Sequence, residues 1–383
     1  MYLVRALNFS IVLLLAGVAA SLAQPVPQRL NAPDLPFPDF DYETRDLPVH
    51  LAPVAKLDNT PADNPVTNAG AALGRVLFYD NGLSANRLVS CASCHNQALG
   101  FDDSTRFPIG FAGRITRRGA MPLANASFNP RGSYFRDERA ATLEEQVLHP
   151  FTDEIEMGLK PGELVERVSA RDWYGPLFAD AFGDEAATED RVSRALAQFV
   201  RSIVSTHSRY DEARAQAGSP LDDFPQFTQT ENRGKFLFFT PRSEGGTGCS
   251  VCHETEAFLL LRPRNNGTHA GSEADDGGLG EISGTSTDLG LFRAASLKNI
   301  AVSAPYMHDG GFDTLEQVID HYADGVQPHP NLDRELRKDG GLPDRLNLTD
   351  TDRKAIIAFL ETLTDREMLR DPKFSDPFAR RGQ

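Results

Sequence analysis

The chain has 383 residues, of which 40% are hydrophobic and 24% are charged, a composition typical of a soluble globular protein. Its formal net charge of −15 argues against nucleic acid as a partner, because phosphate binding needs a basic surface. The length is sufficient for two hydrophobic cores, and we expect two domains.

The first predicted element is a cleaved signal peptide over residues 1–23. Arg5 precedes the apolar run IVLLLAGVAA, and SLA at 21–23 has the small-x-small pattern of a signal-peptidase site. An uncleaved anchor is the alternative, but the run is shorter than the roughly 20 apolar residues of a membrane-spanning helix. We expect a periplasmic mature chain from about Gln24, with a charge of −15 − 1 = −16 and no stable membrane insertion.

A Pro-rich segment and several helices follow the signal peptide. Residues 24–65 hold nine of the 25 prolines, which predicts an extended strap lying over a domain. Apolar residues then recur at spacings of three and four, so the predicted fold class is mainly α. The clearest helix is TEDRVSRALAQFVRSIVS at 188–205. Further helices are predicted within 69–80, 142–150, 162–170 and 353–363.

Two parts of the chain repeat each other. GRVLFYDNGLSANRLVSCASCH at 74–95 resembles GKFLFFTPRSEGGTGCSVCH at 234–253, and DERAATLEEQ at 137–146 resembles DGGFDTLEQV at 309–318. The first cysteines of the two copies are 249 − 91 = 158 residues apart. We therefore predict a tandem duplication with domains at 66–225 and 226–370, and a tail at 371–383.

All four cysteines lie in two C-x-x-C-H motifs, formed by Cys91, Cys94 and His95 and by Cys249, Cys252 and His253. On a helical turn, cysteines at i and i+3 share a face and can form thioethers to a haem, while the histidine binds iron. Disulfides and a zinc site are the alternatives, but zinc pairs normally lie about 15 to 20 residues apart. The motifs predict two covalently bound haem c groups with His95 and His253 as proximal ligands.

The order of the motifs resembles that of the bacterial di-haem cytochrome c peroxidase and MauG family. The first C-x-x-C-H is followed by LEEQVLHPFTDEIEMG, the second C-x-x-C-H and APYMHDGGFDTLEQVIDHY, and the similarity spans about Gly70 to Leu363. The resemblance implies two cytochrome c-like haem domains, of which the N-terminal one reacts with hydrogen peroxide. The C-terminal haem would relay electrons.

The resemblance implies two alternative enzyme functions. A peroxidase would reduce hydrogen peroxide with electrons from a small redox protein such as cytochrome c, and the family label ranks it narrowly first. A MauG-like oxidase would instead modify a partner protein through peroxide-derived high-valent iron. A third alternative, a non-enzymatic electron carrier, requires strong ligands on both faces of both haems.

The first domain carries the implied catalytic residues. The family's catalytic glutamate corresponds to Glu156 of IEMG, and the glutamine of the same pocket corresponds to Gln146. One carboxylate can remove a proton from the oxygen that binds iron and return it to the leaving oxygen, while the amide orients the peroxide. The alternative for Glu156 is a solvated loop residue.

No ligand is expected on the open face of the first haem. Classical members place a histidine in an IGH context, where this chain has Phe111, and phenylalanine has no lone pair for iron. The first haem is therefore predicted to be five-coordinate, unless His50 or His149 reaches it.

The second haem is predicted to be closed by Tyr322. This residue is the seventh after Leu315, the position that carries the axial ligand in the family, and tyrosine is associated with MauG-like members. A phenolate stabilises ferric iron and gives a low reduction potential. His321 and Met307 are rival ligands. The corresponding residue of the first repeat, Pro150, cannot bind iron.

Further site residues come from the resemblance alone. Arg293 is implied as a propionate partner and His308 as a residue near the second haem, although both could be core or cap residues. A calcium ion would bind the backbone carbonyls of Ser303 and Pro305. The family's asparagine ligand falls at Gly119, which leaves Asn125 as the nearest candidate.

The residue between the two haems departs from the family. The family's tryptophan corresponds to Arg136, and the single Trp173 lies elsewhere in the sequence. Tyr134 or Phe135 would have to replace the tryptophan in a side-chain relay, and only tyrosine is readily oxidised.

Overall fold

The computed structural model describes residues 32–33, 40–270 and 276–378. Outside helices, backbone pairing in these ranges consists of isolated bridges, and no longer strand occurs there. The prediction of a mainly α fold is confirmed. The predicted signal peptide, positions 24–31 and 34–39 of the strap, and the last five residues of the tail lie outside the described residues.

The helices start where the sequence provides caps. The α-helices of the described residues are α1 Asn68–Tyr79, α2 Leu143–Gln146, α3 His149–Thr152, α4 Glu163–Ser169, α5 Tyr174–Phe182, α6 Glu189–Ser202, α7 Arg209–Arg214, α8 Gln229–Phe239, α9 Leu279–Ser283, α10 Leu315–Asp320 and α11 Asp350–Glu361. In α1, α2, α6, α8, α10 and α11, a threonine side chain accepts a backbone N–H of the first turn, which is the preferred N-cap chemistry.

One predicted helix, within 142–150, is instead two short helices. α2 ends at Gln146 and α3 begins at His149, with Pro150 in its first turn. Proline has no N–H to donate and fits the first turn of a helix, so a new helix begins here and α2 does not continue.

Two helix pairs, α1 with α6 and α8 with α11, form the centres of the fold. Gly74 of α1 lies against the backbone of Ala195, where an added Cβ would be 2.0 Å from the carbonyl oxygen. Gly234 of α8 lies in the same way against Ala355, at 1.8 Å. The two contacts are related by one sequence offset, since 234 − 74 and 355 − 195 both equal 160.

We expect Gly74→Ala and Gly234→Ala each to destabilise the protein by about 1–3 kcal/mol, the usual cost of forcing a methyl group into a packed interior. The added carbon meets backbone, so the helices themselves must separate. Denaturant unfolding of the holoprotein measures the change. Gly218→Ala is the control, because its nearest neighbour would be an Asp222 carboxylate oxygen at 3.4 Å. Equal losses in all three variants would contradict the prediction.

Each helix pair belongs to its own apolar cluster, and each cluster contacts one C-x-x-C-H motif. Phe78 in the first cluster lies 6.5 Å from the His95 ring, and Phe238 in the second lies 6.3 Å from the His253 ring. The first cluster also contains Phe374, from the predicted tail.

The described part of the predicted strap, residues 40–65, contributes to a buried ionic cluster. His50 follows Pro48 in a short 3₁₀-helix, and its Nε2 is 3.1 Å from Asp211 Oδ1. Lys298 Nζ lies 2.5 Å from the same oxygen, and the side chains of all three residues are at most 1% exposed. The cluster connects segments that are far apart in sequence.

No helix among the described residues combines the length and the apolar character needed to cross a membrane.

Candidate functional site

Two cavities of similar size lie at the two C-x-x-C-H motifs. The first cavity, of about 470 Å³, is lined by Cys94 and His95. The second cavity, of about 480 Å³, is lined by Cys249, Cys252 and His253. Both volumes suit a bound organic cofactor. All four cysteines are unpaired, which contradicts the disulfide alternative.

The histidines of both motifs fit the role of iron ligands. The Nδ1 atom of His95 lies 3.0 Å from the Phe101 carbonyl oxygen, so a proton on Nδ1 leaves Nε2 free for a metal. The Nδ1 atom of His253 is buried and lacks a hydrogen-bond partner within the described part of the chain. Burial lowers the pKa of His95, and it lowers the pKa of His253 to about 4. Burial thus favours the neutral ring in both, the form that binds metals.

The walls of the two cavities use corresponding positions. In each cavity the wall includes the leucine that directly follows a threonine N-cap. It also includes the third and the seventh residues after that leucine. These are Leu143, Gln146 and Pro150 in the first cavity, and Leu315, Val318 and Tyr322 in the second.

Glu156 and Gln146 both line the first cavity. Neither side chain has a hydrogen-bond partner among the described residues. The Asp153 carboxylate accepts the Glu156 N–H at 3.0 Å and so fixes the loop that presents the glutamate. Burial raises the pKa of Glu156 to about 7, with Asp153 raising it further and Arg139 opposing. A carboxyl with this pKa can accept and return a proton near neutral pH.

None of the three residues considered as closing the first haem, Phe111, His50 and His149, lines the first cavity. Among the described residues that line this cavity, His95 is the only histidine. The Phe111 N–H donates to the Glu156 carbonyl at 2.9 Å, and its ring packs against Gly158 outside the cavity wall. His50 is held by Asp211, and the His149 ring packs against Phe135 with its side chain 45% exposed.

Two of the three candidate axial ligands reach the second cavity. Tyr322 and Met307 line it, whereas His321 does not, because its Nε2 lies 3.0 Å from the Asn266 backbone oxygen. Tyr322 belongs to a π-helical turn, His321–Gly325, a rare conformation that occurs frequently at functional sites. Burial raises the pKa of Tyr322 to about 12, and a hydrogen bond from Asn266 opposes this.

Two partly buried arginines, Arg136 and Arg293, line both cavities. Arg136 donates to the Ala120 carbonyl at 2.7 Å, and Arg293 donates to the Ser133 carbonyl at 2.5 Å. Burial lowers the pKa of both, and the Nε of Arg293 has no partner in the described structure. Neither forms a salt bridge to a described carboxylate. A cation shielded from water in a cavity that binds a cofactor needs a compensating charge, which haem propionates would supply.

His308 lies at the edge of the second cavity. Its ring stacks on Phe292 with a centroid distance of 3.8 Å, and burial lowers its pKa to about 4. Its donor atoms lie within 4.8 Å of those of His269 and Asp309. Arg106 already binds the Asp309 carboxylate at 3.2 Å, so a cation at this point would meet a positive charge.

The predicted calcium residues are only partly brought together. Ser303 and Pro305 both line the second cavity. The Asn125 amide oxygen instead accepts the Ser205 N–H at 3.0 Å, so the calcium ion stays a prediction. Of the relay candidates, Tyr134 and Phe135 line the first cavity, whereas Trp173 lines neither.

Sequence reasoning missed three residues of this region. Nothing in the sequence singles out Asn266 or Asp102, which both line the second cavity, and Arg136 stands out only as a departure from the family. Burial raises the pKa of Asp102 to about 7 against the opposing effect of Arg136. Arginine at a family tryptophan position was the one signal available.

Comparison with known proteins identifies the family. Residues 68–218 match the family model described as Di-haem cytochrome c peroxidase. The methylamine utilization protein MauG of Methylorubrum extorquens is 35% identical over 305 residues, which are 79% of this chain and 80% of that protein. The chain belongs to the di-haem cytochrome c peroxidase and MauG family. The resemblance inferred from its motifs is therefore confirmed.

Relatives named as cytochrome c peroxidases and a structure of a MauG-like protein also match the chain. Cytochrome c551 peroxidase of Nitrosomonas europaea is 31% identical over 297 residues, covering 77% of this chain and 79% of its own. A crystal structure of a MauG-like protein associated with microbial copper homeostasis is 33% identical, with a TM-score of 0.76, covering 88% of this chain and 99% of that one. The chain is an oxidoreductase acting on hydrogen peroxide, and its family implies two haem groups.

Proposed function

We propose that this chain is a periplasmic MauG-like oxidase, which activates hydrogen peroxide at the first cavity and draws electrons from a partner protein. The observation that carries the proposal is the difference between the two cavities. The first presents Pro150 and a free Glu156, whereas the second presents Tyr322 at the position that matches Pro150. In this proposal the first cavity admits a small substrate, and the second has Tyr322 on its wall as the candidate iron ligand.

The proposed cofactors are two haem c groups, attached through Cys91 and Cys94 and through Cys249 and Cys252. When bound, each haem supplies an iron centre for redox chemistry. His95 and His253 would hold the two irons, Tyr322 would be a second protein ligand to the iron at the second cavity, and Arg136 and Arg293 would neutralise propionates.

The protein's own part in peroxide reduction is proton transfer in the first cavity. Gln146 orients hydrogen peroxide through its amide. Glu156 takes a proton from one peroxide oxygen and returns it to the other, which leaves as water. Two protons and two electrons complete the conversion of hydrogen peroxide to two waters, and the electrons come from the partner.

The second candidate is a cytochrome c peroxidase, in which a small c-type cytochrome supplies the electrons. Its support is the 31% identity to the Nitrosomonas europaea peroxidase. The sequence ranks this function narrowly first. The positions of Tyr322 on the second cavity wall and of His321 away from it support the MauG-like function more, because a phenolate favours ferric iron over rapid reduction.

The proposal extends to the architecture. Domains at 66–225 and 226–370, related by tandem duplication, are supported by the equal offsets at Gly74 and Gly234. Residues 24–65 would form the strap, and export would follow cleavage of residues 1–23. A calcium ion at the Ser303 and Pro305 carbonyls completes the proposal.

Stopped-flow spectroscopy tests the function. The ferric holoprotein is mixed with hydrogen peroxide and then with a reduced small cytochrome c. A spectral change with peroxide that persists in the presence of the cytochrome supports the MauG-like function. Rapid oxidation of the cytochrome supports the peroxidase instead. Two haems that do not respond to peroxide would contradict both functions.

We expect Tyr322→Phe to change the ferric spectrum of the second haem. Phenylalanine keeps the ring but loses the oxygen that would bind iron, so low-spin ferric signal should be lost and the reduction potential should rise. Electron paramagnetic resonance and a potentiometric titration measure both. Tyr134→Phe is the matched control, because Tyr134 lines the first cavity. An unchanged low-spin signal in Tyr322→Phe would rule out the axial assignment.

A further inference from the structure

Asn266 lies between the two axial candidates of the second cavity. Its Nδ2 atom is 3.2 Å from Met307 Sδ and 3.4 Å from the Tyr322 hydroxyl oxygen. All three residues line the second cavity together with His253. Because an amide nitrogen carries two N–H groups, one can point at the sulfur while the other points at the oxygen.

The orientation of the Asn266 amide is fixed from its other end. Its Oδ1 atom accepts hydrogen bonds from the Thr268 hydroxyl at 2.5 Å and from the Thr268 N–H at 3.3 Å. The reversed amide would lose the bond from the Thr268 N–H, which can only donate, and would place an oxygen against the lone pairs of Met307 Sδ. The nitrogen therefore faces the axial candidates.

The same residue also holds the third candidate. The Asn266 backbone oxygen is 3.0 Å from His321 Nε2, which keeps that imidazole away from the cavity wall. One residue thus contacts all three side chains that could supply the sixth ligand. Its amide nitrogen contacts a sulfur in Met307 and a hydroxyl oxygen in Tyr322, whereas its backbone oxygen contacts an imidazole nitrogen in His321.

We infer that Asn266 is a positioning residue that selects Tyr322 over Met307 and His321 as the axial donor of the second haem. The inference rests on the proposed function, because it takes the second cavity as a haem site. A thioether is a neutral, soft donor, and an N–H bonded to its sulfur weakens it further towards ferric iron. An anionic phenolate accepts the N–H as a charge-assisted hydrogen bond and keeps lone pairs for iron.

The test is the spectrum of the ferric holoprotein without peroxide. In Asn266→Leu, which keeps the approximate size but has no donor, Met307 is released and should compete with Tyr322. The expected result is a new near-infrared sulfur-to-iron charge-transfer band and a positive shift of the second midpoint potential, since methionine ligation raises the potential. Adding Met307→Leu to Asn266→Leu should remove the band.

Asn265→Ala is the matched control for loosening of the loop. The Asn265 amide donates to the Gly290 carbonyl at 2.9 Å rather than to an axial candidate, so no sulfur band is expected. Asn266→Asp is the second donor-free variant, and it keeps the oxygen that holds Thr268 should the leucine variant fail to fold. Met307→Leu alone should leave the ferric spectrum unchanged.

Three outcomes would overturn the inference. These are a wild-type spectrum and potential in both donor-free variants, an equal shift in Asn265→Ala, and a changed ferric spectrum in Met307→Leu alone. Because none of these measurements uses peroxide, a failure here is distinguishable from a failure of the proposed function, which appears as haems that do not respond to peroxide.

Discussion

Glu156→Gln should slow the reaction with hydrogen peroxide by about 10²-fold or more, the usual contribution of a positioned acid/base group. Glutamine keeps the size of the side chain and its place on the wall of the first cavity but cannot exchange a proton. Stopped-flow measurement of the first spectral change after mixing with peroxide gives the rate. Binding of peroxide itself should persist.

The pH dependence gives a second measurement for Glu156. Its pKa of about 7 predicts that the wild-type rate rises as pH increases through 7, because the carboxylate is the form that accepts a proton. The rate of Glu156→Gln should lack this step. A raised folded pKa also means that the carboxyl's contribution to stability is present below its ordinary value of 4.5 and is lost as pH rises to about 7. As pH rises through this range, the unfolding midpoint of Glu156→Gln should therefore fall less than that of the wild type.

Glu154→Gln is the matched control for Glu156→Gln. Glu154 is an exposed residue of the same loop and does not line the first cavity. We expect its peroxide rate and pH profile to equal those of the wild type. An equal rate in Glu156→Gln and the wild type would remove Glu156 from the mechanism.

Lys298→Met should cost about 3–5 kcal/mol of unfolding free energy, the range seen when one member of a buried ion pair is removed. Lys298 Nζ is fully buried and lies 2.5 Å from Asp211 Oδ1. Methionine fills most of the space but leaves a buried carboxylate that only His50 and Ser208 contact. Denaturant unfolding of the holoprotein at pH 7 measures the loss.

The pH dependence of this loss has a defined sign. Burial by itself would raise the pKa of Asp211, but Lys298, His50 and Ser208 together hold it well below its ordinary 3.8. The stabilisation is therefore present above pH 3.8 and is lost as pH falls below it. The difference in unfolding free energy between the wild type and Lys298→Met should therefore become smaller as pH falls below 3.8.

Two further variants separate the ion pair from simple loss of a lysine. Lys298→Met combined with Asp211→Asn should recover part of the stability, since no buried charge remains unpaired. Lys235→Met is the control, because this buried lysine bonds to the carbonyls of Pro220 and Asp222 rather than to a carboxylate. A larger loss in Lys235→Met than in Lys298→Met would contradict the argument.

Local spacing made much of the fold and the site predictable. The segments 69–80, 188–205 and 353–363 correspond to helices α1, α6 and α11, because threonine caps and apolar periodicity are both local signals. The resemblance to the family, rather than spacing alone, pointed to Tyr322 as the seventh residue after Leu315, and this residue lines the second cavity.

Residues that act through long-range contacts could not be found in this way. Asn266 meets Tyr322 across 56 positions, and Lys298 meets Asp211 across 87. No periodicity relates such pairs, and asparagine and lysine are ordinary residues of loops. His321 remained a rival of Tyr322 in the sequence, because the two residues are adjacent and their directions depend on a π-helical turn that has no local sequence signal.

The position of Phe374 has a consequence for the order in which the chain acquires its structure. Its ring lies 6.3 Å from Phe101 and 6.5 Å from Tyr42, and its carbonyl accepts the Tyr79 hydroxyl at 2.7 Å. The aromatic face around the first C-x-x-C-H motif is therefore complete only after Phe374 has joined it. The first motif thus belongs to a core whose closure needs a segment that follows the second motif in the chain.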